Sequence, residues 1–144
     1  MLYSAEINKA IKLMFAAHKE QLDKNGLPYV FHPFHVAEQM QDEDCVIAAL
    51  LHDIIEDTDM TADDLRAQGF SDRVVDAVVL LTHTENDDYD EYIRNIKKNP
   101  IARAVKLADL RHNSDLSRLE TVTDKDLARV GRYRRAIEEL TGQE

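Results

Sequence analysis

Val46-Ile47-Ala48-Ala49-Leu50-Leu51-His52-Asp53-Ile54-Ile55-Glu56-Asp57-Thr58-Asp59 is the stretch on which the reading of this chain turns. Its first six residues are apolar on every side of a helical wheel, which marks a helix buried at the centre of a core. The run leads directly into four carboxylates. Read as one continuous helix, it places them at the C-terminus, where the macrodipole disfavours negative charge. Asp53 follows residues that must face the core, and an unpaired buried carboxylate is expensive. A bound divalent cation offsets both costs. Glu56 and Asp57, three and four residues beyond Asp53, share its face, while Asp59 reads as a solvated helix end.

Helical signals extend outward in both directions. Ser4 is a candidate N-cap, and Ile7, Ile11, Met14, Phe15, His18 and Leu22 recur at helical spacing, so residues 4–22 read as an amphipathic helix. Asn25-Gly26-Leu27-Pro28 is a turn, and Pro33 suits the first turn of a short second helix ending near Met40. Asp42 or Asp44 caps the buried helix. Further helices are expected from Thr61 to a stop at Gly69, over 72–82, over 87–98, over 100–113 behind Pro100, and from Thr123 or Asp124 to about Leu140. No segment alternates with period two, so the expected fold is all-α, one multi-helix domain over 1–144.

The 144 residues suit one hydrophobic core, and the scarcity of Gly (4) and Pro (3) favours helices over turn-rich β architecture. A net charge of −10 argues against sequence-independent nucleic-acid binding, which needs Lys and Arg to neutralise phosphates. It leaves room for a small phosphorylated ligand, if a cation and a few basic residues reverse the local potential. The single cysteine, Cys45, lies in an apolar run and reads as a buried structural thiol. No stretch is long enough to cross a bilayer and the N-terminus lacks a signal-peptide segment, so a cytoplasmic protein is expected.

Two other positions are anomalous. Asp109, in Ala104-Val105-Lys106-Leu107-Ala108-Asp109-Leu110-Arg111-His112-Asn113, shares an apolar helical face with Val105. Taken alone it fits an Asp–Arg core pair with Arg103 or Arg111 as well as a metal role. His32 is fixed by Pro33; by itself it reads as a packing or capping residue. His18 and His35 read as core or rim histidines and His83 as exposed. Together, His32, His52, Asp53 and Asp109 supply two imidazoles and two carboxylates. That set suits a six-coordinate divalent ion such as manganese, iron or magnesium, and lacks the thiolates of structural zinc. Such an ion, with open positions for water, activates a nucleophile and polarises a phosphoryl oxygen.

Three blocks then carry a resemblance: Pro28-Tyr29-Val30-Phe31-His32-Pro33, Ala48-Ala49-Leu50-Leu51-His52-Asp53-Ile54-Ile55-Glu56-Asp57-Thr58, and Val105 to Asn113. In this order they resemble the HD-domain superfamily, and more closely the alarmone hydrolases of the RelA/SpoT-homologue group, over about residues 5–120. The resemblance implies one Mn²⁺ held by His32, His52, Asp53 and Asp109, with Glu56 and Asp57 activating or orienting the attacking water. Lys24 and Asn113 would contact the substrate. The implied reaction removes pyrophosphate from the 3′ position of guanosine tetra- or pentaphosphate. The family usually has two adjacent basic residues after the first helix; here Asp23 replaces the first, and would repel an anionic nucleotide unless it faces away or pairs with Lys24 or Lys19. That departure keeps two other readings open: hydrolysis of another phosphorylated nucleotide, or a non-catalytic module that binds a nucleotide or partner helix and retains the metal site. The chain ends soon after the third block, so a stand-alone hydrolase is expected, without membrane or nucleic-acid partners. Val130, Tyr133 and Ile137 fit a core or an interface equally, leaving the oligomeric state open.

Overall fold

Short polar side chains open most of the helices. Ser4 accepts the Ile7 amide at the start of α1 (Ala5–His18), whereas α2 (Phe31–Glu38) begins at Val30 without a side-chain cap. Asp42 caps α3 (Glu43–Leu51) by accepting from Cys45, and α4 (Ile54–Asp57) follows after a two-residue break. Thr61 and Asp64 form a capping box for α5 (Ala62–Ala67), and Gly69 ends the segment at φ +92°, a conformation that favours glycine. Ser71 caps α6 (Asp72–Leu81) and Asp88 caps α7 (Tyr89–Lys97). Asn99 caps α8 (Pro100–Asn113), with Pro100 in its first turn. A 3₁₀ turn (Leu116–Arg118) leads to α9 (Asp124–Thr141), opened by a second capping box between Thr123 and Asp126. This computed structural model describes residue 1 and residues 3–142. Among them the fold is all-α, as expected; extended pairing is confined to an isolated bridge between Leu22 and Pro28.

Helix α3 is the centre of the core. Every residue from Cys45 to Leu51 is buried, and α1, α2, α6 and α8 pack around it. The apolar run leaves no polar face for solvent, so only a fully surrounded position satisfies it. The Cys45 thiol is pushed up to about 12, by burial and then by Asp42, in keeping with a structural thiol. Helix α9 packs on α7 and α8. Val130 is buried, and Tyr133 and Ile137 pack half-buried against the core, so these three are core positions.

The boundaries differ from expectation in three places. Helix α1 stops at His18, because the chain turns to pair the Tyr29 amide with the Gln21 carbonyl (2.9 Å). Helix α2 starts at Phe31, two residues ahead of Pro33. Most consequentially, the buried helix does not run on through His52 and Asp53. His52 is its C-cap, and Asp53 sits at φ −103°, ψ 2°, in the sparsely populated bridge region. Glu56 and Asp57 therefore lie in the first turn of a new helix, where the helix dipole does not oppose their charge. Among the described residues no helix is long and apolar enough to cross a membrane.

Candidate metal centre and substrate cleft

The break after α3 turns two side chains toward α2 and α8. His52 is almost fully buried, and its Nδ1 lies 2.6 Å from the Ala49 carbonyl, which can only accept. Nδ1 therefore carries the proton, leaving Nε2 to face the carboxylates. Asp53 Oδ2 is 3.1 Å from that Nε2 and Asp109 Oδ1 is 3.5 Å away, yet neither is in hydrogen-bonding geometry. His32, from the first turn of α2, places its Nε2 2.8 Å from Asp109 Oδ1. Ligand atoms of His32, His52 and Asp109 all lie within 4.8 Å of one another. Asp53 adjoins this trio through His52 and accepts a hydrogen bond from the Tyr29 hydroxyl.

These residues fit a divalent cation. A buried imidazole nitrogen without a hydrogen-bond partner, facing two carboxylates and a second imidazole, is a polar arrangement that protein atoms alone leave unsatisfied. Electrostatics point the same way. Burial opposes charge on His52, but Asp53 and Asp109 hold it well above the usual histidine range. Burial likewise opposes charge on Asp109, but Lys106, His32 and His52 hold it well below the usual carboxylate range. The partner of Asp109 is Lys106, at 2.9 Å, and not Arg103 or Arg111. Lys106 lies one helical turn ahead of Asp109 and is itself mostly buried, so it reaches the carboxylate without leaving the core.

Glu56 and Asp57 are brought near but not into the trio. Glu56 accepts the His83 amide at 2.7 Å. Asp57 is held up at about 6, by partial desolvation and then by the negative charges of Asp53 and Glu56. Asp59 is exposed, as expected. His83 is half-buried rather than exposed, its ring packed against Tyr89 and Tyr92. His18 is fully buried and its Nδ1 pairs with Gln21, while His35 lies exposed on α2.

A cleft of about 310 Å³ opens beside the candidate metal residues; His32 belongs to both, and Asn113 lines the cleft. Asn113 also donates to Asp109 Oδ1 at 3.0 Å. Lys24, Arg118 and Arg129 bring three cations into this cleft, with Asn25 and Tyr133. Their convergence is felt by Lys24, which is held below its usual range by partial burial and by the like charge of Arg129. Asp23 lines the cleft too, but it pairs with neither Lys24 nor Lys19. Its Oδ1 accepts the Asn25 and Leu27 amides at 2.8 and 3.0 Å, so the carboxylate is engaged in closing its own loop. Asn25 then anchors that loop to the Arg118 carbonyl (2.6 Å).

Arg118 and Arg129 escaped the sequence reading, and Tyr133 was read there only as a core or interface position, not as part of the cleft. Arg129 reads locally as a helical partner of Asp126, which it also is (2.8 Å), and nothing local connects either arginine to Lys24. Lys106 was passed over in favour of Arg103 and Arg111, although its place three residues before Asp109 was a signal that could have found it. His112, whose Nδ1 lies 2.7 Å from His32 Nδ1, is held down at about 4 by burial and then by Arg118.

Comparisons with known proteins identify the family and the fold. The HD domain family matches residues 10–132. The chain is 36% identical over 107 residues to the guanosine-3′,5′-bis(diphosphate) 3′-pyrophosphohydrolase of Aquifex aeolicus, covering 71% of this chain and 15% of that protein. It is 33% identical over 141 residues to the GTP pyrophosphokinase of Myxococcus xanthus, covering 86% of this chain and 18% of that protein. The chain thus spans less than a fifth of these curated relatives. Among solved structures, a metazoan ortholog of SpoT described as hydrolysing ppGpp superposes with a TM-score of 0.77 at 26% identity, covering 99% of this chain and 89% of that one.

Proposed function

The chain belongs to the HD domain family, and on that premise we propose that it is a divalent-metal-dependent phosphohydrolase acting on guanosine tetra- or pentaphosphate. One observation carries the reading: the cleft that gathers Lys24, Arg118 and Arg129 includes His32 of the candidate metal trio, and Asn113, which donates to Asp109 of that trio. Positive charge for a polyphosphate thus adjoins a place for its hydrolysis, on a protein whose net charge is −10. The names of the Aquifex relative and the SpoT ortholog supply the substrate class.

In this reading residues 1–144 form one HD-type domain, and His32, His52, Asp53 and Asp109 hold the ion, with Mn²⁺ as its identity. When bound, the cation supplies Lewis-acid polarisation of a phosphoryl oxygen and an acidified water. Glu56 takes the proton of the attacking water, and Asp57 beside it, held up at about 6, is suited to share that task around neutral pH. Water oxygen bonds to the phosphorus on the 3′ oxygen, the 3′ O–P bond breaks, and pyrophosphate leaves with GDP or GTP. Lys24, Arg118 and Arg129 neutralise the nucleotide's phosphates, and Asn113 orients it beside Asp109. A soluble nucleotide substrate fits a cytoplasmic setting.

The test is a panel: guanosine tetraphosphate, guanosine pentaphosphate and nucleoside monophosphates, each incubated with Mn²⁺ and the purified protein. The expected result is pyrophosphate release from the two guanosine polyphosphates only. Turnover of a monophosphate in their place identifies a different substrate. Binding without turnover throughout supports the non-catalytic module.

A further inference from the structure

We propose that His112 is a positioning residue for the metal centre: by accepting the Nδ1 proton of His32, it fixes the tautomer whose Nε2 lone pair meets the cation. The inference rests on the metal-site part of the reading above and is independent of the substrate. The two Nδ1 atoms lie 2.7 Å apart. The ring planes differ by only 12° and the centroids stand 5.0 Å apart. Near-coplanar rings whose nearest atoms are these two nitrogens meet edge to edge, which is the geometry of an in-plane N–H···N hydrogen bond and not of a face-to-face stack.

One proton fits between two nitrogens at that distance. His32 Nε2 faces Asp109 and His52, and ligation requires its lone pair there. The shared proton must therefore belong to His32 Nδ1, and His112 must present a lone pair at its own Nδ1. His52 meets the same need through the Ala49 carbonyl, which accepts whatever the side chains around it do. His32 has a side chain in that role, so the sequence can alter it. The outer face of the His112 ring is covered by His35, with centroids 4.1 Å apart, which holds the acceptor in place.

The test separates the acceptor from the ring. His112→Phe keeps a flat ring against His35 and deletes the acceptor, whereas His112→Asn offers an amide oxygen where Nδ1 stood. Metal-free proteins are titrated with Mn²⁺ and the free ion is read by electron paramagnetic resonance. Circular dichroism and thermal unfolding in chelator serve as controls for the fold. Losing such a partner typically weakens metal affinity ~10–100-fold, so that loss is expected for His112→Phe, with His112→Asn within a few-fold of wild type. Equal affinity in His112→Phe and wild type overturns the proposal, as does an equal loss in both variants. The ¹⁵N shifts of His32 in Mg²⁺-loaded wild type give a second readout that needs no variant: a proton on Nδ1 is expected, and an unprotonated Nδ1 overturns the proposal. Wild type that binds Mn²⁺ but leaves guanosine tetraphosphate intact fails the substrate reading alone.

Discussion

Two buried aspartates on adjacent helices, Asp126 of α9 and Asp109 of α8, have opposite origins. Asp126 accepts the Thr123 amide (3.0 Å), the Thr123 hydroxyl (2.9 Å) and Arg129 (2.8 Å), all within one helical turn. Its position in the first turn also favours its charge. Local structure explains it completely. Asp109 sits mid-helix, and its surroundings come from distant parts of the chain: His32 of α2, His52 at the end of α3, and Lys106 and Asn113 on its own helix. Two imidazoles and a lysine around one carboxylate exceed what a structural ion pair requires. A carboxylate that its own turn satisfies belongs to the fold; one that draws donors from several elements marks the site.

That contrast breaks most visibly at Asp109 itself. Asp109→Ala is expected to abolish both Mn²⁺ binding and phosphohydrolase activity, read by ion titration and product release. Retention of either would place Asp109 with Asp126 as a structural residue. Glu56→Gln sharpens the division inside the site: Mn²⁺ affinity is kept, while turnover falls by the ~10²–10⁴-fold typical of lost general-base help. Asp126→Ala is the converse. Removing the capping-box carboxylate lowers stability modestly, read as a lower midpoint in chemical denaturation, with Mn²⁺ affinity unchanged.

Asp57 gives the smallest effect and a definite sign. Its folded-state value of about 6 lies above the ordinary 3.8, so the folded protein binds this proton more tightly than the unfolded chain. Ionising Asp57 therefore costs stability, and the cost appears as pH rises from about 4 through 6. Asp57→Asn is expected to raise the Tm of the metal-free protein at pH 8 and to leave it unchanged below pH 4. With the side chain exposed on one side, solvent screening keeps the gain under about 1 kcal/mol. No gain at pH 8 would show that Asp53 and Glu56 do not press on this carboxyl.

The helices were legible because caps and periodicity are local. Ser4, Asp42, Thr61 and Thr123 open their helices as the sequence suggests, and Pro100 starts α8. The all-round apolar run of α3 announced its central position. The break at His52-Asp53 was not legible, because both residues are compatible with a helix and nothing in the residue types marks the bridge-region backbone at Asp53. The candidate metal residues stood out individually as polar side chains in apolar surroundings. The cationic cleft did not, since Lys24 meets Arg118 and Arg129 across most of the chain length, and each arginine looks ordinary in its own helix or turn. The role of Asp23 was equally hidden, because nothing in the residue type says that its oxygen closes a loop.

The most direct test of the account follows GDP and pyrophosphate release from guanosine tetraphosphate by the purified protein in Mn²⁺, with Asp53→Ala alongside. Both products from wild type and neither from Asp53→Ala is the predicted result. Equal product from the two proteins, or none from wild type, would contradict it.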